Sequence, residues 1–176
     1  KIGDEAVRYA KHAADVLRKA KIMKKLAVAT NGCSLIVGTT AIEKLGRDIT
    51  RESITPEEFA KSLGRSKARI ALLMGREGTG LSKDELRECD VVVRIITNPI
   101  YRTLNISHAL AILLYELSKY KLKPTTEFME WNEKRLLIKH FNSFVDRNKQ
   151  GLRSPEFIKL AFKRILGRGI RSQVEA

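Results

Sequence analysis

The chain has 176 residues, 43% of them hydrophobic, and 34 Lys and Arg against 20 Asp and Glu leave a formal net charge of +14. That length and composition fit a globular chain of one domain with at most a small appendage, able to bury a sizeable core. The basic surplus points to a polyanionic partner, nucleic acid first, through phosphate contacts and counterion release, although a charge-rich surface of a heat-adapted protein fits the same numbers.

From Asp4 to about Lys19, small and apolar residues recur at Ala6, Tyr9, Ala10, Ala13, Val16, Leu17 and Ala20, which predicts a surface helix with one buried face. The β-branched run "SLIVGTTAI" follows and predicts a buried strand emptying into a loop after Gly38. Thr55-Pro56-Glu57-Glu58 combines an N-cap, a proline at the first helical position and a capping-box glutamate, so a helix is expected through Leu63. Next come a strand at "ARIALLMG", a glycine loop, a short helix opened by Ser82 with Glu85 three residues on, and a strand at "VVVRIIT".

Asn98-Pro99 ends that strand in the loop "NPIYRTLN", after which Ile106, Ala109, Leu110, Leu113, Leu114 and Leu117 mark an amphipathic helix. Beyond Tyr120, "KLKPTTE" has the composition of a linker, and two basic helical patterns follow, one around Trp131 to Phe144 and one around Phe157 to Leu166. The stretch "GRGIRSQVEA" is glycine-rich and polar and is expected to fray. Residues 1–120 are therefore expected to form the main domain and 121–176 a linker with a basic helical extension.

The alternation of helix and strand predicts an α/β fold with a mostly parallel sheet covered by helices on both faces. Ligands of such sheets bind beyond the carboxyl ends of the strands. Three strand ends are accordingly the candidate site: Gly38-Thr39-Thr40, Gly75 to Gly80, and Ile95 to Asn105. The glycine loop "GREGTGLS" fits neither the P-loop, which needs a lysine after its last glycine, nor G-x-G-x-x-G, because Gly75, Gly78 and Gly80 are spaced G-x-x-G-x-G. A nucleoside triphosphatase is thus disfavoured, and what remains is a turn or a close backbone approach to a ligand.

Cys33 and Cys89 stand alone, without a C-x-x-C or a histidine at ligand spacing, so reduced, buried thiols are expected rather than a zinc site or a disulfide framework. No apolar run approaches the ~20 residues that span a bilayer, and "KIGDEAVRYAKHAADVL" lacks signal-peptide organisation. A soluble, cytoplasmic protein without a membrane partner is expected.

The ordered pair "MGREGTGLS" and "NPIYRTLNISHALAILLYEL" resembles motifs two and three of the SPOUT class of RNA methyltransferases, in the SpoU-like branch that methylates ribose 2′-hydroxyls. With "LIVGTT" and the basic tail "FKRILGR", the chain is most similar to the tRNA 2′-O-methyltransferases that modify nucleotide 32 of the anticodon loop. The resemblance is strongest over residues 35–120. It implies a sheet whose C-terminal part forms a trefoil knot, a homodimer packed through that knot, tRNA as partner and S-adenosylmethionine as cofactor.

It also implies roles residue by residue. Thr39, Thr40 and Ala41 would lie beside the cofactor, Gly75 would let the backbone approach its adenosyl part, Ile95 and Ile96 would offer main-chain groups to adenine, and Thr103, Leu104 and Asn105 would close the other side. Glu77 holds the motif-two glutamate position, where it would organise the loop through hydrogen bonds, touch substrate and count with Thr103 and Asn105 among the catalytic residues. Thr103, where relatives often carry serine, and Asn105 would assist the transfer, and no metal is required. Tyr101 and Arg102 are candidates for stacking on RNA and for binding its phosphate, whereas His108 is expected to pack or cap.

The resemblance places the activating arginine in a motif one of form N-x-G-x-x-x-R, which does not occur in these 176 residues. Arg8 sits in the wrong context for it. The expectation is that a segment of roughly thirty to forty residues, about one strand-helix-strand unit, precedes this chain and that the 176 residues alone are inactive. Alternatives on the same residues are a ribosomal RNA 2′-O-methyltransferase and a non-catalytic RNA-binding module.

Overall fold

A computed structural model describes residues 3–43, 46, 48–63, 68–119 and 129–168. The chain divides into two compact units, Lys1–Asn31 and Gly32–Ala176. In the first, the expected single helix is instead α1 (Asp4–Ala10), a 3-10 turn over Lys11–Ala13 and α2 (Ala14–Arg18), followed by an unforeseen α3 (Leu26–Ala29). The break falls at Lys11, whose φ of 48° lies in a region that side-chain-bearing residues rarely adopt and that cannot continue a right-handed helix. No residue of α1 or α2 is buried, so the expected buried face is absent.

The second unit holds a three-stranded parallel sheet of β1 (Leu35–Thr39), β2 (Ile70–Leu73) and β3 (Val91–Val93), in the order β2-β1-β3. Leu35 pairs with Ile70 and Val37 with both Leu72 and Val91, so the strands run in register with their carboxyl ends on one side. Side chains alternate between the faces, as the pleat requires. Leu35, Val37, Val91 and Val93 pack with Phe59 and Leu63 of α4 (Pro56–Leu63) and Leu113 of α6 (Ile106–Lys119). Val92, with Ile36 and Leu73 beside it, packs on the other face with Leu86 of α5 (Lys83–Glu88) and Cys89. Each buried Leu, Val or Phe contributes roughly 1.5–3 kcal/mol. The expected α/β sheet with both faces covered is what forms.

Both expected capping boxes are present. Glu58 N–H donates to Thr55 Oγ1 at 3.2 Å while Thr55 N–H donates to Glu58 Oε2 at 2.7 Å, and Ser82 and Glu85 exchange the equivalent bonds at 3.2 and 2.8 Å. β3 is shorter than "VVVRIIT": its ladder with β1 ends at the Thr39–Val93 pair, while on its other edge Arg94 N–H donates to the Ile54 carbonyl at 2.9 Å. Both cysteines are free and buried. Gly38 has no room for a side chain, since a Cβ there would lie 2.6 Å from Cys89 Sγ, and burial pushes that thiol up to about 12.

The two basic patterns are α7 (Trp131–Arg147) and α8 (Pro155–Arg168), whose Phe141 and Phe162 rings stack at 3.7 Å. They belong to the same compact unit as the sheet. Lys134 of α7 donates to the Ser34 carbonyl at 2.8 Å and pairs with Asp90. On α8, Arg164 is buried and its Nη2 donates to the carbonyls of Leu86 at 2.9 Å and Thr50 at 3.2 Å. Gly167 passes so close to the chain that a Cβ would sit 2.7 Å from the Asp90 carbonyl oxygen. The expected linker at 121–127 and residues 169–176 of the polar stretch lie outside the described residues.

Candidate active site

β1 delivers Thr39 and Thr40 to the carboxyl edge of the sheet. Thr39 Oγ1 donates to the Leu73 carbonyl at 3.0 Å and Thr40 N–H to the Val93 carbonyl at 3.1 Å, so the end of the central strand is tied to both neighbours. The Thr40 hydroxyl oxygen then accepts from Ile42 N–H and from Arg51 Nη1, each at 3.1 Å. Arg51 ends a 3-10 turn over Ile49–Arg51 that Asp48 caps by accepting from Thr50 N–H at 3.0 Å and from the Thr50 hydroxyl. That hydroxyl bond holds the Asp48 carboxyl at about 2.

β2 delivers the glycine loop, closed by reciprocal backbone bonds between Arg76 and Gly80 at 3.2 and 2.8 Å. Gly80 has a φ of 66°, which favours glycine. At Gly75 a Cβ would lie 2.4 Å from the carbonyl carbon of Gly80 and 2.5 Å from Leu81 N. The resemblance assigns Gly75 to close approach of a cofactor, yet its lack of a side chain is already demanded by the loop's own backbone. Arg76 folds over the loop and donates from both terminal nitrogens to Glu85, at 3.0 and 2.9 Å. These bonds, with the Ser82 N–H, hold the Glu85 carboxyl at about 2.

The third segment leaves β3 and returns as the start of α6. Asn98 shapes its turn, accepting from Ile100 N–H at 2.9 Å through its side chain and from Tyr101 N–H at 3.1 Å through its carbonyl. Asn105 caps α6: its Oδ1 accepts from Ser107 N–H at 2.9 Å and Ser107 Oγ at 2.6 Å, and its carbonyl from Ala109 N–H at 2.9 Å. Glu77 crosses from the glycine loop to the same helix start, accepting from Ile106 N–H at 3.4 Å. A carboxylate there also meets the positive end of the helix dipole.

The three segments enclose a cavity of about 210 Å³. Of the expected site residues, Thr39, Thr40, Ala41, Gly75, Glu77, Ile95, Arg102, Thr103 and Leu104 line it. Ile96, Tyr101 and Asn105 do not: Ile96 and Tyr101 are 68% and 74% exposed, and Asn105 is exposed with its side chain engaged in the cap. His108 is exposed on α6. Arg76 lies within the expected Gly75 to Gly80 segment, whereas Arg51, Met74 and Leu81 fall outside the three expected segments. Met74 and Leu81 flank the glycine loop and could have been found by extending it, but nothing local in "RDITRES" marks Arg51.

The lining combines apolar walls from Met74, Ile95 and Leu104, hydroxyls from four threonines, three arginines and one acid, Glu77. Such a set accommodates a nucleoside with an attached amino-acid tail: flat apolar surface for a base, hydroxyls and loop backbone for the sugar, and positive charge for a carboxylate. The donor chemistry therefore fits S-adenosylmethionine. Among the described residues, no group of three or more His, Cys, Asp and Glu could hold a metal ion, and no helix is long and apolar enough to cross a membrane.

The sequence model of the SpoU rRNA methylase family matches residues 1–115. A tRNA (cytidine-2′-O-)-methyltransferase TrmJ from Methanocaldococcus jannaschii is 34% identical over 99% of this chain and 79% of its own length. A tRNA (cytidine/uridine-2′-O-)-methyltransferase TrmJ from Klebsiella pneumoniae is 33% identical over 88% of this chain and 65% of its own. Among solved structures, TrmJ from Z. mobilis superposes with a TM-score of 0.69 at 24% identity, covering 99% of this chain and 77% of that one, a likeness of fold.

Proposed function

Because the chain belongs to the SpoU methylase family, we propose that it serves S-adenosylmethionine-dependent methylation of a ribose 2′-hydroxyl in tRNA, with nucleotide 32 of the anticodon loop as the target. One observation carries this reading: the three strand-end segments that hold the matched motifs converge on a single cavity whose lining suits that cofactor. The names of the relatives, both tRNA 2′-O-methyltransferases, support tRNA as the substrate.

Bound there, S-adenosylmethionine would supply the methyl group from its sulfonium, whose sulfur would keep the electron pair of the broken bond as a neutral thioether while the proton of the ribose hydroxyl would go to solvent. The chain's own contribution is placement. Thr39, Thr40 and Ala41 hold one side of the cofactor, Gly75 and Ile95 its adenosyl part, and Thr103 and Leu104 the other side. The Thr103 hydroxyl and Asn105 orient the ribose oxygen, because a neutral 2′-hydroxyl is a poor nucleophile and gains most from alignment. Glu77 locks the glycine loop to the start of α6. Tyr101, exposed beside the cavity mouth, stacks on a base, and Arg102 meets a phosphate.

A trefoil knot, a homodimer and cytoplasmic residence belong to the same proposal. The test has two arms. Calorimetry should register S-adenosylmethionine binding to this chain, and tRNA from cells lacking the gene should lose 2′-O-methylation at one position when methylated riboses are mapped. Normal methylation across all tRNA in those cells, with loss in ribosomal RNA instead, would move the substrate to the ribosome, and absence of cofactor binding would favour a non-catalytic RNA-binding module.

A further inference from the structure

Arg51 is the lining residue that the motif assignment leaves without a task. Three arginines line the cavity: Arg76 is held in a bidentate pair by Glu85, and Arg102, whose Nε donates to the Pro99 carbonyl at 3.2 Å, already has the RNA phosphate assigned to it above. Arg51 is half-buried and gives Nη1 to the Thr40 hydroxyl, a neutral acceptor. Among the described residues no carboxylate lies within ion-pair distance of it. A guanidinium carries five donors in a planar fork suited to an oxyanion, so its contact with Thr40 leaves most of that capacity facing the cavity.

Its backbone is held unusually well for a short turn. Asp48 caps the turn from before, Arg164 of α8 donates to the Thr50 carbonyl at 3.2 Å, and Arg168 donates to Glu52 Oε1 at 3.0 Å and to the Glu52 carbonyl at 3.3 Å. The residues on both sides of Arg51 are thus clamped by one helix, while Ile54 N–H is fixed to the Val92 carbonyl at 2.9 Å. A long side chain on a rigid base loses less freedom when it binds, which is how preorganisation raises affinity.

We propose that Arg51 is a ligand-contacting residue of this site, binding an oxyanion through its guanidinium, and that Arg164 and Arg168 are positioning residues that hold it there. The proposal rests on the cofactor reading above. The oxyanion is a carboxylate or a phosphate, and the two possible sources are the amino-acid tail of S-adenosylmethionine and the RNA backbone beside the target ribose.

The test compares the wild-type chain with Arg51→Ala and Arg51→Lys by calorimetry against S-adenosylmethionine and 5′-methylthioadenosine, which lacks the amino-acid tail, and by filter binding against tRNA at fixed salt. If the tail carboxylate is the partner, Arg51→Ala weakens S-adenosylmethionine at least tenfold, leaves 5′-methylthioadenosine within twofold, and Arg51→Lys recovers part of the loss. If the partner is an RNA phosphate, both small ligands are unchanged and tRNA affinity falls at least fivefold. Arg168→Ala should reproduce the same selective loss in weaker form. Equal affinities of Arg51→Ala and wild type for all three ligands would overturn the assignment, as would parallel losses for S-adenosylmethionine and 5′-methylthioadenosine, which would mark a merely structural role. A wild-type chain that bound neither small ligand would remove the cofactor reading itself, and the proposal with it.

Discussion

Lys134 on α7 and Asp90 at the head of β3 form a buried ion pair, with Nζ 2.5 Å from Oδ2, no exposure of the Asp90 side chain and 12% of the lysine's. Burial pulls the Lys134 ammonium below its ordinary range and Asp90 pulls it back. Ile36 N–H also donates to Oδ2, at 2.7 Å, while Oδ1 is buried without a partner. Removing the lysine would strand a carboxylate in the core. Lys134→Met should therefore cost roughly 3–5 kcal/mol in denaturant unfolding. The double variant Asp90→Asn with Lys134→Met should recover at least half of that, because the stranded charge is gone; additive losses would contradict the pairing.

Glu85 sets a pH dependence of definite sign. Its carboxyl is lowered from 4.5 to about 2, first by hydrogen bonding to Arg76 and then by the Ser82 N–H. A depressed acid contributes stability that is present above its unfolded value and lost as the pH falls through the folded one. The difference in thermal midpoint between wild type and Glu85→Gln should be largest above pH 4.5 and shrink toward zero between pH 4.5 and 2. Asp48, also held at about 2, lies in both proteins and cancels in the comparison.

Gly75→Ala separates the loop's own needs from those of a ligand. Its Cβ would meet backbone atoms of Gly80 and Leu81 at 2.4 to 2.5 Å, and no flexible side-chain end is available to give way. The expected cost is about 1–3 kcal/mol of stability, with loss of cofactor binding measured by calorimetry. An unchanged melting temperature together with lost binding would instead place the glycine's role wholly at the ligand.

At Asn105, a cap and a proposed chemical role coincide. Asn105→Ala should cost about 1 kcal/mol through loss of the cap, and Asn105→Ser should restore most of it. Introduced into the chromosomal gene, both variants should strongly reduce 2′-O-methylation of tRNA while tRNA affinity stays near wild type. Recovery of methylation in the serine variant would reduce Asn105 to a cap.

Much of the sheet and of its ligand edge was legible because the signals are local. Continuous apolar runs announced β1, β2 and β3, Thr55 and Ser82 announced their helices by capping chemistry, and the loops after parallel strands met where such loops generally meet. What escaped depended on partners far along the chain. Lys134 finds Asp90 44 positions away, and Arg51 gains its meaning from a turn that Arg164 holds from 114 positions away. Neither residue stands in a local pattern that distinguishes it from a solvated charge. The failure at Lys11 has another cause: a periodicity of small residues persists across a backbone break that only the φ angle of one lysine reveals.

The clamp from Arg164 to the Thr50 carbonyl also bears on the order of events during synthesis. Chains emerge from the ribosome at ~5–20 residues per second, so the turn carrying Arg51 is exposed several seconds before α8 exists. Until Arg164 arrives, the Thr50 and Leu86 carbonyls that it bridges must find other partners, and Gly167 cannot yet close over Asp90. The cavity is thus finished late, and a nascent chain carrying all three loops but not α8 would hold them without the helix that fixes one wall.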